Sequence, residues 1–448
     1  SGLAVVSPRA GSPVPFAVDG LLYRAGFVVT LAGMDLFEKV RARMSADLGK
    51  YAAFGHHYLA FPKLEGPLGP HMTFRGKPVL VWSLNDYLGL GSDPEIRQVD
   101  AEATARYGLA YPMGSRMLTG NTDEHEALEA ELADFLGKPD VFVMNYGYQG
   151  FLSVIDALTD RHDVIIYDQL AHACLIDGVR LSPARHLSFR HNDISHLEDR
   201  LQEALRHVEK TGGGVLVVTE GVFGMRGDVG ALDKIAQLKD KYPFRLMVDD
   251  AHGFGVMGRT GRGVPEHFGV EGAVDIWVGT FAKTMALIGA FVAGEREVVQ
   301  YLRYHLRSQI YAKALPIAVA IGARKRLEKV RYEPHRHQKL WAITRRLQEG
   351  LKEAGFFIGD TVSPVTPVYL AGSEQEAIAL VKDLRENFGI FTSGVTYPVI
   401  EKGKIILRLI PTAAHTEADV DRTIAAFKAV AHRLRTGYYQ DQPLPAVL

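Results

Sequence analysis

The chain has 448 residues, 47% hydrophobic and 23% charged, with 51 Lys and Arg against 52 Asp and Glu for a formal net charge of −1. That length holds two or three domains with large cores, in ordinary globular proportions. A balanced charge gives no electrostatic reason to bind nucleic acid or an anionic membrane surface. The single cysteine, Cys174, cannot form an internal disulfide and suits a reducing compartment, so a cytoplasmic location is expected.

The apolar stretch 20–33 is interrupted by Arg24, too short to span a bilayer and poorly built for a signal peptide. The chain opens Ser-Gly, and Met34, just ahead of the helix-like run from Asp35 to Val40, is expected as a natural start. Residues 34–79 read as an N-terminal helix and arm. From about residue 139, short β-branched runs alternate with amphipathic stretches. The predicted strands are 141–145, 164–168, 186–189, 215–220, 246–249, 276–280 and 291–293. Between them, Leu197, Leu201 and Leu205 mark a helix over 194–210, and another is predicted over 232–241. Such alternation predicts an α/β fold, a mostly parallel seven-stranded sheet flanked by helices. Ligands of such sheets gather at the carboxyl ends of the strands.

After Pro316 the pattern changes to helices over 317–331, 340–354, 374–388 and 417–435 with strands over 365–370 and 405–410, a smaller α+β domain. The expected division is an extension over 1–79, a large domain over 80–318 and a small domain over 319–448. The tail 440–448, with two prolines, is expected to fray.

The chemistry concentrates at strand ends. Arg245-Leu-Met-Val-Asp-Asp-Ala-His252 ends in two carboxylates and an imidazole, and Lys283 follows Asp249 by 34 residues in Val278-Gly-Thr-Phe-Ala-Lys-Thr284. A lysine for a Schiff base, an aspartate for a pyridine nitrogen and a histidine for a ring hydroxyl are what pyridoxal phosphate requires. Asn145-Tyr-Gly-Tyr-Gln-Gly150 follows a strand and opens a helix, so the backbone N–H groups around Gly147, Tyr148 and Gln149 offer an anion site suited to a phosphate, a plain strand-to-helix turn being the competing reading. The Thr280 hydroxyl is expected to face the same phosphate. His172, just past another strand, can stack on the pyridine ring, although a strand-end histidine is more often structural. Arg408 interrupts the apolar run Lys404-Ile-Ile-Leu-Arg-Leu-Ile410. A substrate carboxylate is a natural bidentate partner for it, and an outward-facing strand position is the competing reading.

Two motif matches are rejected. Gly253-Phe-Gly-Val-Met-Gly258 satisfies a dinucleotide-binding pattern, but the following Arg259-Thr-Gly-Arg-Gly263 cannot open the helix that pattern needs. Gly279-Thr-Phe-Ala-Lys-Thr284 lacks the glycine before lysine of a P-loop. His56-His57 and His335-Arg-His337 lack metal-ligand spacing and read as solvated histidines; no metal site is expected.

Asn85-Asp-Tyr-Leu-Gly-Leu90, Gly114-Ser-Arg116 with Gly120, His125, Leu128 and Glu129, Phe189-Arg-His-Asn-Asp193, Glu220-Gly-Val-Phe-Gly-Met225 and Val248-Asp-Asp-Ala-His252 stand in one order. In this, residues 79–435 resemble the α-oxoamine synthases, fold-type-I pyridoxal phosphate enzymes that condense an amino acid with an acyl-CoA. The block Gly279–Phe291 is closest to the serine palmitoyltransferase form of that family, with Ala282 and Ala312 standing where a hydroxyl residue is usual. Thr284 is expected to make up the lost phosphate contact.

The resemblance implies that Lys283 carries the cofactor and then removes the Cα proton, that Asp249 keeps the ring nitrogen protonated, and that His172 and Arg408 orient the substrate carboxylate. Asn85 and Ser115 are the further substrate-binding expectations. It also implies a homodimer with sites at the subunit interface, and condensation of L-serine with a long-chain acyl-CoA. Glycine with a short acyl-CoA, an aminotransferase and a non-catalytic partner subunit are the competing functions; the last is disfavoured by the presence of Lys283.

Overall fold

The structure, a computed structural model, describes residues 4–5, 35–44, 49, 51–54, 57–396, 400 and 403–440. The apolar stretch 20–33, Met34, His56 and the tail 441–448 lie outside the described residues. Two compact units are present, one of residues 85–339 and one of residues 1–84 with 340–448. These limits differ from the expected ones at 79/80 and 318/319. The helix predicted from Ile317 packs on helices of the larger unit, and the strands around residue 80 pair within the smaller one.

The larger unit is built on β1 (Asp140–Met144), β2 (Val164–Asp168), β3 (Arg185–Phe189), β4 (Val215–Glu220), β5 (Arg245–Asp249), β6 (Ile276–Thr280) and β7 (Ala290–Gly294), in the order β1-β7-β6-β5-β4-β2-β3. All seven predicted strands are present. Only β7 runs against its neighbours, β1 and β6; the other pairs are parallel. β4, β6 and β7 are buried along their whole length, the state of strands covered on both faces.

Helices α1 (Pro94–Tyr107), α2 (Asp123–Leu136), α3 (Gly147–Leu158), α4 (Ala173–Leu181), α5 (Ile194–Thr211) and α6 (Ile317–Tyr332) surround it. Their starts are chemically marked. Asp93 accepts the Ile96 N–H at 3.0 Å to cap α1, and Asp193 accepts the His196 N–H at 2.9 Å to cap α5. α3 and α4 pack together, with Phe151, Val154 and Ile155 in one core with Leu175 and Val179. Each such buried side chain stabilises by about 1.5–3 kcal/mol. α6 rests on α1 and α2, and the buried Arg326 grips both oxygens of Asp100 at 2.8 and 2.7 Å.

In the smaller unit, the antiparallel strands Thr366–Ala371, Lys404–Leu409 and Ser393–Val395 form one sheet, joined by residues 4–5. A second sheet joins Leu64–Glu65, His71–Phe74, Lys77–Val81 and Ile390–Phe391, so much of the expected N-terminal arm is sheet. Its core gathers Trp82, Leu347, Leu407 and Phe427. Trp82 donates to Thr423 at 2.9 Å and stacks on His415 at 3.9 Å. No helix among the described residues is long and apolar enough to cross a membrane.

Candidate active site

The parallel register decides which strand-end residues meet. Glu220 at the end of β4 pairs with Asp249 at the end of β5, and Asp249 pairs with the backbone of Val278 in β6. Paired residues on parallel neighbours point to the same face, so the two buried acids stand side by side. Asp249 Oδ1 accepts the Ala251 N–H at 3.0 Å, and Oδ2 meets the Cys174 thiol at 3.8 Å. Burial raises the Asp249 pKa, and the Lys283 ammonium is the main influence opposing it. Burial, with the Asp249 charge adding to it, pushes Glu220 well above the usual carboxylate range. Of this pair, Glu220 is driven further toward its neutral form, while Lys283 opposes the rise at Asp249 most.

Lys283 lies in the loop between β6 and β7, which is cross-tied: the Phe281 N–H donates to the Gly289 carbonyl at 2.9 Å, Leu287 N–H to Phe281 at 2.9 Å and Ala286 N–H to Lys283 at 2.8 Å. Its charge acts on Asp249, Glu220 and His172 together, which places the four groups in one electrostatic cluster.

His172 caps α4, its Nδ1 accepting the Cys174 N–H at 3.3 Å and lying 3.0 Å from the thiol. Its own N–H donates to Glu220 Oε1 at 2.6 Å. Burial lowers the His172 pKa, Asp249 opposes this and Lys283 adds to it. The ring is therefore held neutral, and Tyr148 meets it edge-on at 6.4 Å. Tyr148 also donates to Asp177. His252 lies three residues past Asp249, with Nδ1 2.7 Å from the Tyr87 hydroxyl.

Gly147 opens α3 with no side chain capping the helix start, and a Cβ on Gly147 would stand 3.3 Å from Thr280 Oγ1. The uncapped N–H groups of 147–149 thus lie beside Thr280. The Thr280 hydroxyl donates to the Gly289 carbonyl at 3.0 Å and accepts the Ala282 N–H at 3.2 Å. Thr284 is fully buried and donates to the Phe254 carbonyl at 2.8 Å, so it faces away from the expected role. Ser115 is half-buried, and its carbonyl accepts the N–H groups of Leu118 and Gly120 in a tight loop. Asn85 opens the larger unit. Arg408 lies in the smaller unit, half-buried on a strand opposite Pro367 and Ser393. His337, expected to be solvated, is instead half-buried with Nε2 2.6 Å from the Val256 carbonyl.

Glu220, Cys174 and Tyr87 were not among the expected site residues, though Glu220 and Tyr87 each sit inside a quoted motif. Nor was His191, clamped between Asp168 at 3.1 Å and Asp228 at 3.0 Å. Burial alone would lower the His191 pKa, but the two carboxylates override it and push it up to about 9.

The family model for aminotransferase class I and II matches residues 77–427, and the chain belongs to that family. A "Cysteate-C-fatty acyltransferase" of Capnocytophaga ochracea is 55% identical over 406 residues, 91% of this chain and 96% of that one. A "Serine palmitoyltransferase" of Bacteroides ovatus is 37% identical over 377 residues, 83% of this chain and 94% of that one. The solved structure of Sphingomonas wittichii serine palmitoyltransferase superposes with a TM-score of 0.82 at 30% identity, covering 90% of this chain and all of that one. Within the family the chain is an α-oxoamine synthase, a pyridoxal-phosphate-dependent acyltransferase.

The residues fit that cofactor. Asp249 is a buried acid with one oxygen facing only a weak thiol donor, the setting in which a cationic N–H is the best available partner. The uncapped start of α3 supplies N–H groups for a phosphate.

Proposed function

We propose that this enzyme joins a fatty acyl group, delivered as a CoA thioester, to the Cα of cysteate with loss of CO₂ and release of CoA. The observation that carries the choice of amino acid is the 55% identity to the cysteate enzyme, against 37% to the serine palmitoyltransferase. Identity that high over 91% of the chain favours a shared substrate more than the shared motifs do, since those belong to every branch.

Bound pyridoxal phosphate supplies an electron sink that stabilises negative charge at the amino acid Cα. Lys283 Nζ would hold the cofactor and would serve as the general base that takes the proton from the amino acid Cα. Asp249 stays ionised and holds a proton on the pyridine nitrogen, which makes the sink effective. His172 offers a neutral ring as a stacking face, fixed by its cap on α4 and by Glu220. The N–H groups of 147–149 bind phosphate at the start of α3, and His252 holds a proton toward the ring hydroxyl. Arg408 binds the substrate carboxylate, with Asn85 and Ser115 as further contacts. We place the enzyme in the cytoplasm as a homodimer. Exposed Leu109, Met113, Met117 and Leu118 flank Gly114-Ser-Arg116, an apolar surface suited to a second copy.

A second reading is L-serine with palmitoyl-CoA, favoured by the Gly279–Phe291 block and by the fold likeness to the Sphingomonas wittichii enzyme. The test is to incubate purified enzyme with cysteate and palmitoyl-CoA. Equal release of CoA thiol and CO₂ supports condensation; a 2-oxo acid without CoA release means an aminotransferase.

A further inference from the structure

The loops that leave the carboxyl ends of the neighbouring strands β4, β2 and β3 are joined by one imidazole. His191, two residues past β3, has Nδ1 3.2 and 3.1 Å from the two carboxyl oxygens of Asp168 at the end of β2. Its Nε2 lies 3.0 Å from Oδ2 of Asp228, in the loop after β4. Phe223, from the same loop, meets the ring edge-on at 4.4 Å. A neutral imidazole donates from one nitrogen only, so a ring set between two carboxylates satisfies both as the imidazolium. Asn192 locks the same corner with φ 55°, a left-handed conformation that asparagine tolerates. Its N–H donates to Asp168 Oδ2 at 3.2 Å, and its side chain donates to the Val229 carbonyl at 2.9 Å and accepts the Ala231 N–H at 3.0 Å.

Asp168 passes this hold to the turn that carries His172. The residue is fully buried; Oδ1 accepts the Leu170 N–H at 2.8 Å and the carbonyl accepts the Ala171 N–H at 3.0 Å. His172 follows directly, its own N–H on Glu220 at 2.6 Å. Stripping the cation from a buried carboxylate leaves it uncompensated, so Asp168 would take up a proton or shift, and the turn would loosen with it. We propose that His191 is a positioning residue, an ionic clasp on Asp168 that holds the turn 168–172 and so fixes where the ring of His172 stands. This rests on the reading that His172 stacks on the bound cofactor.

The test is a double-mutant cycle in full-length holoenzyme: wild type, His191→Gln, His172→Ala and the pair. Each is read by the Kd for cofactor and by the visible circular dichroism of the bound cofactor. His191→Gln should weaken cofactor binding about tenfold, the scale of one charge-assisted hydrogen bond, and shift the dichroism in the same direction as His172→Ala. In the His172→Ala background it should change neither, because the residue it positions is gone. A clamp that only stabilises the fold would lower the unfolding midpoint and leave both cofactor readouts unmoved. If His172→Ala weakens binding but His191→Gln does not, or if the two effects add in full, the proposal is overturned. Amide hydrogen exchange separates the proposal from the reading beneath it. The peptide covering 168–174 should exchange faster in His191→Gln while β1 and β7 stay as in wild type, and unchanged exchange there also overturns the proposal. If that peptide loosens but His172→Ala leaves the cofactor readouts unaltered, the hold on the turn stands and the reading of His172 as a stacking face falls. Should His191→Gln fail to fold, Asp228→Asn removes only the outer carboxylate and should give the same pattern at about threefold. No effect in that variant overturns the proposal.

Discussion

Glu220 Oε1 accepts the backbone N–H of His172 at 2.6 Å, tying the end of β4 to the turn that follows β2. Asp249 stands beside Glu220 in register, so one buried acid anchors His172 while its neighbour is left as the proposed partner of the cofactor's ring nitrogen. The division of labour depends on charge. Burial raises the pKa of both carboxyls, and the Lys283 charge opposes that rise most at Asp249.

Asp249→Asn should bind the cofactor yet lose most turnover. The amide cannot balance a protonated ring nitrogen, and breaking a buried charge pair costs about 3–5 kcal/mol. That corresponds to a fall in kcat of roughly 10²- to 10⁴-fold. Steady-state rates alongside the visible spectrum of the variant check it; a fall under tenfold contradicts the role.

Lys283→Ala should abolish condensation and the visible absorbance of covalently held cofactor. Borohydride reduction of wild type, followed by peptide mass mapping, should place the reduced cofactor on the peptide containing Lys283. Labelling of any other lysine instead would remove Lys283 from the mechanism.

Arg408→Ala should raise KM for the amino acid far more than KM for the acyl-CoA. Losing a charge-assisted carboxylate contact costs about 1.5–3 kcal/mol, roughly tenfold to a hundredfold. Equal effects on both substrates would make Arg408 a structural residue of its strand.

The seven strands were legible because buried parallel strands need unbroken β-branched runs, and Val215–Glu220 or Ile276–Thr280 can hardly be read otherwise. Lys283, Asp249 and His252 stand out as candidates because strand ends in such sheets are where ligands gather. Glu220 was not, since a glutamate at the end of a run looks like the first residue of a loop until register sets it beside Asp249. Thr280 was expected at the phosphate from its strand-end position and Thr284 from the resemblance, and neither cue reports which way a hydroxyl turns. Their hydroxyls turned to the Gly289 and Phe254 carbonyls. The domain limits were missed because the segment around Lys77–Val81 completes a sheet with Ile390–Phe391, a pairing across some 310 residues with no local signature.

His191 should make stability fall as pH rises. Its folded pKa of about 9 lies above the ordinary histidine value of 6.5, so the clamp by Asp168 and Asp228 stabilises fully below about pH 6.5 and is lost through pH 9. The amount is on the order of 3 kcal/mol. Denaturant unfolding between pH 6 and pH 9.5, as a general alkaline scan, should show this slope in wild type and a flatter one in His191→Gln.

The most direct test of the account is competition between L-cysteate and L-serine for the enzyme with palmitoyl-CoA as acyl donor, read as the ratio of their kcat/KM values. The account predicts cysteate ahead by at least tenfold, a preference of about 1.4 kcal/mol. A serine value equal to or above that for cysteate would contradict it, leaving the enzyme an α-oxoamine synthase with a different amino acid.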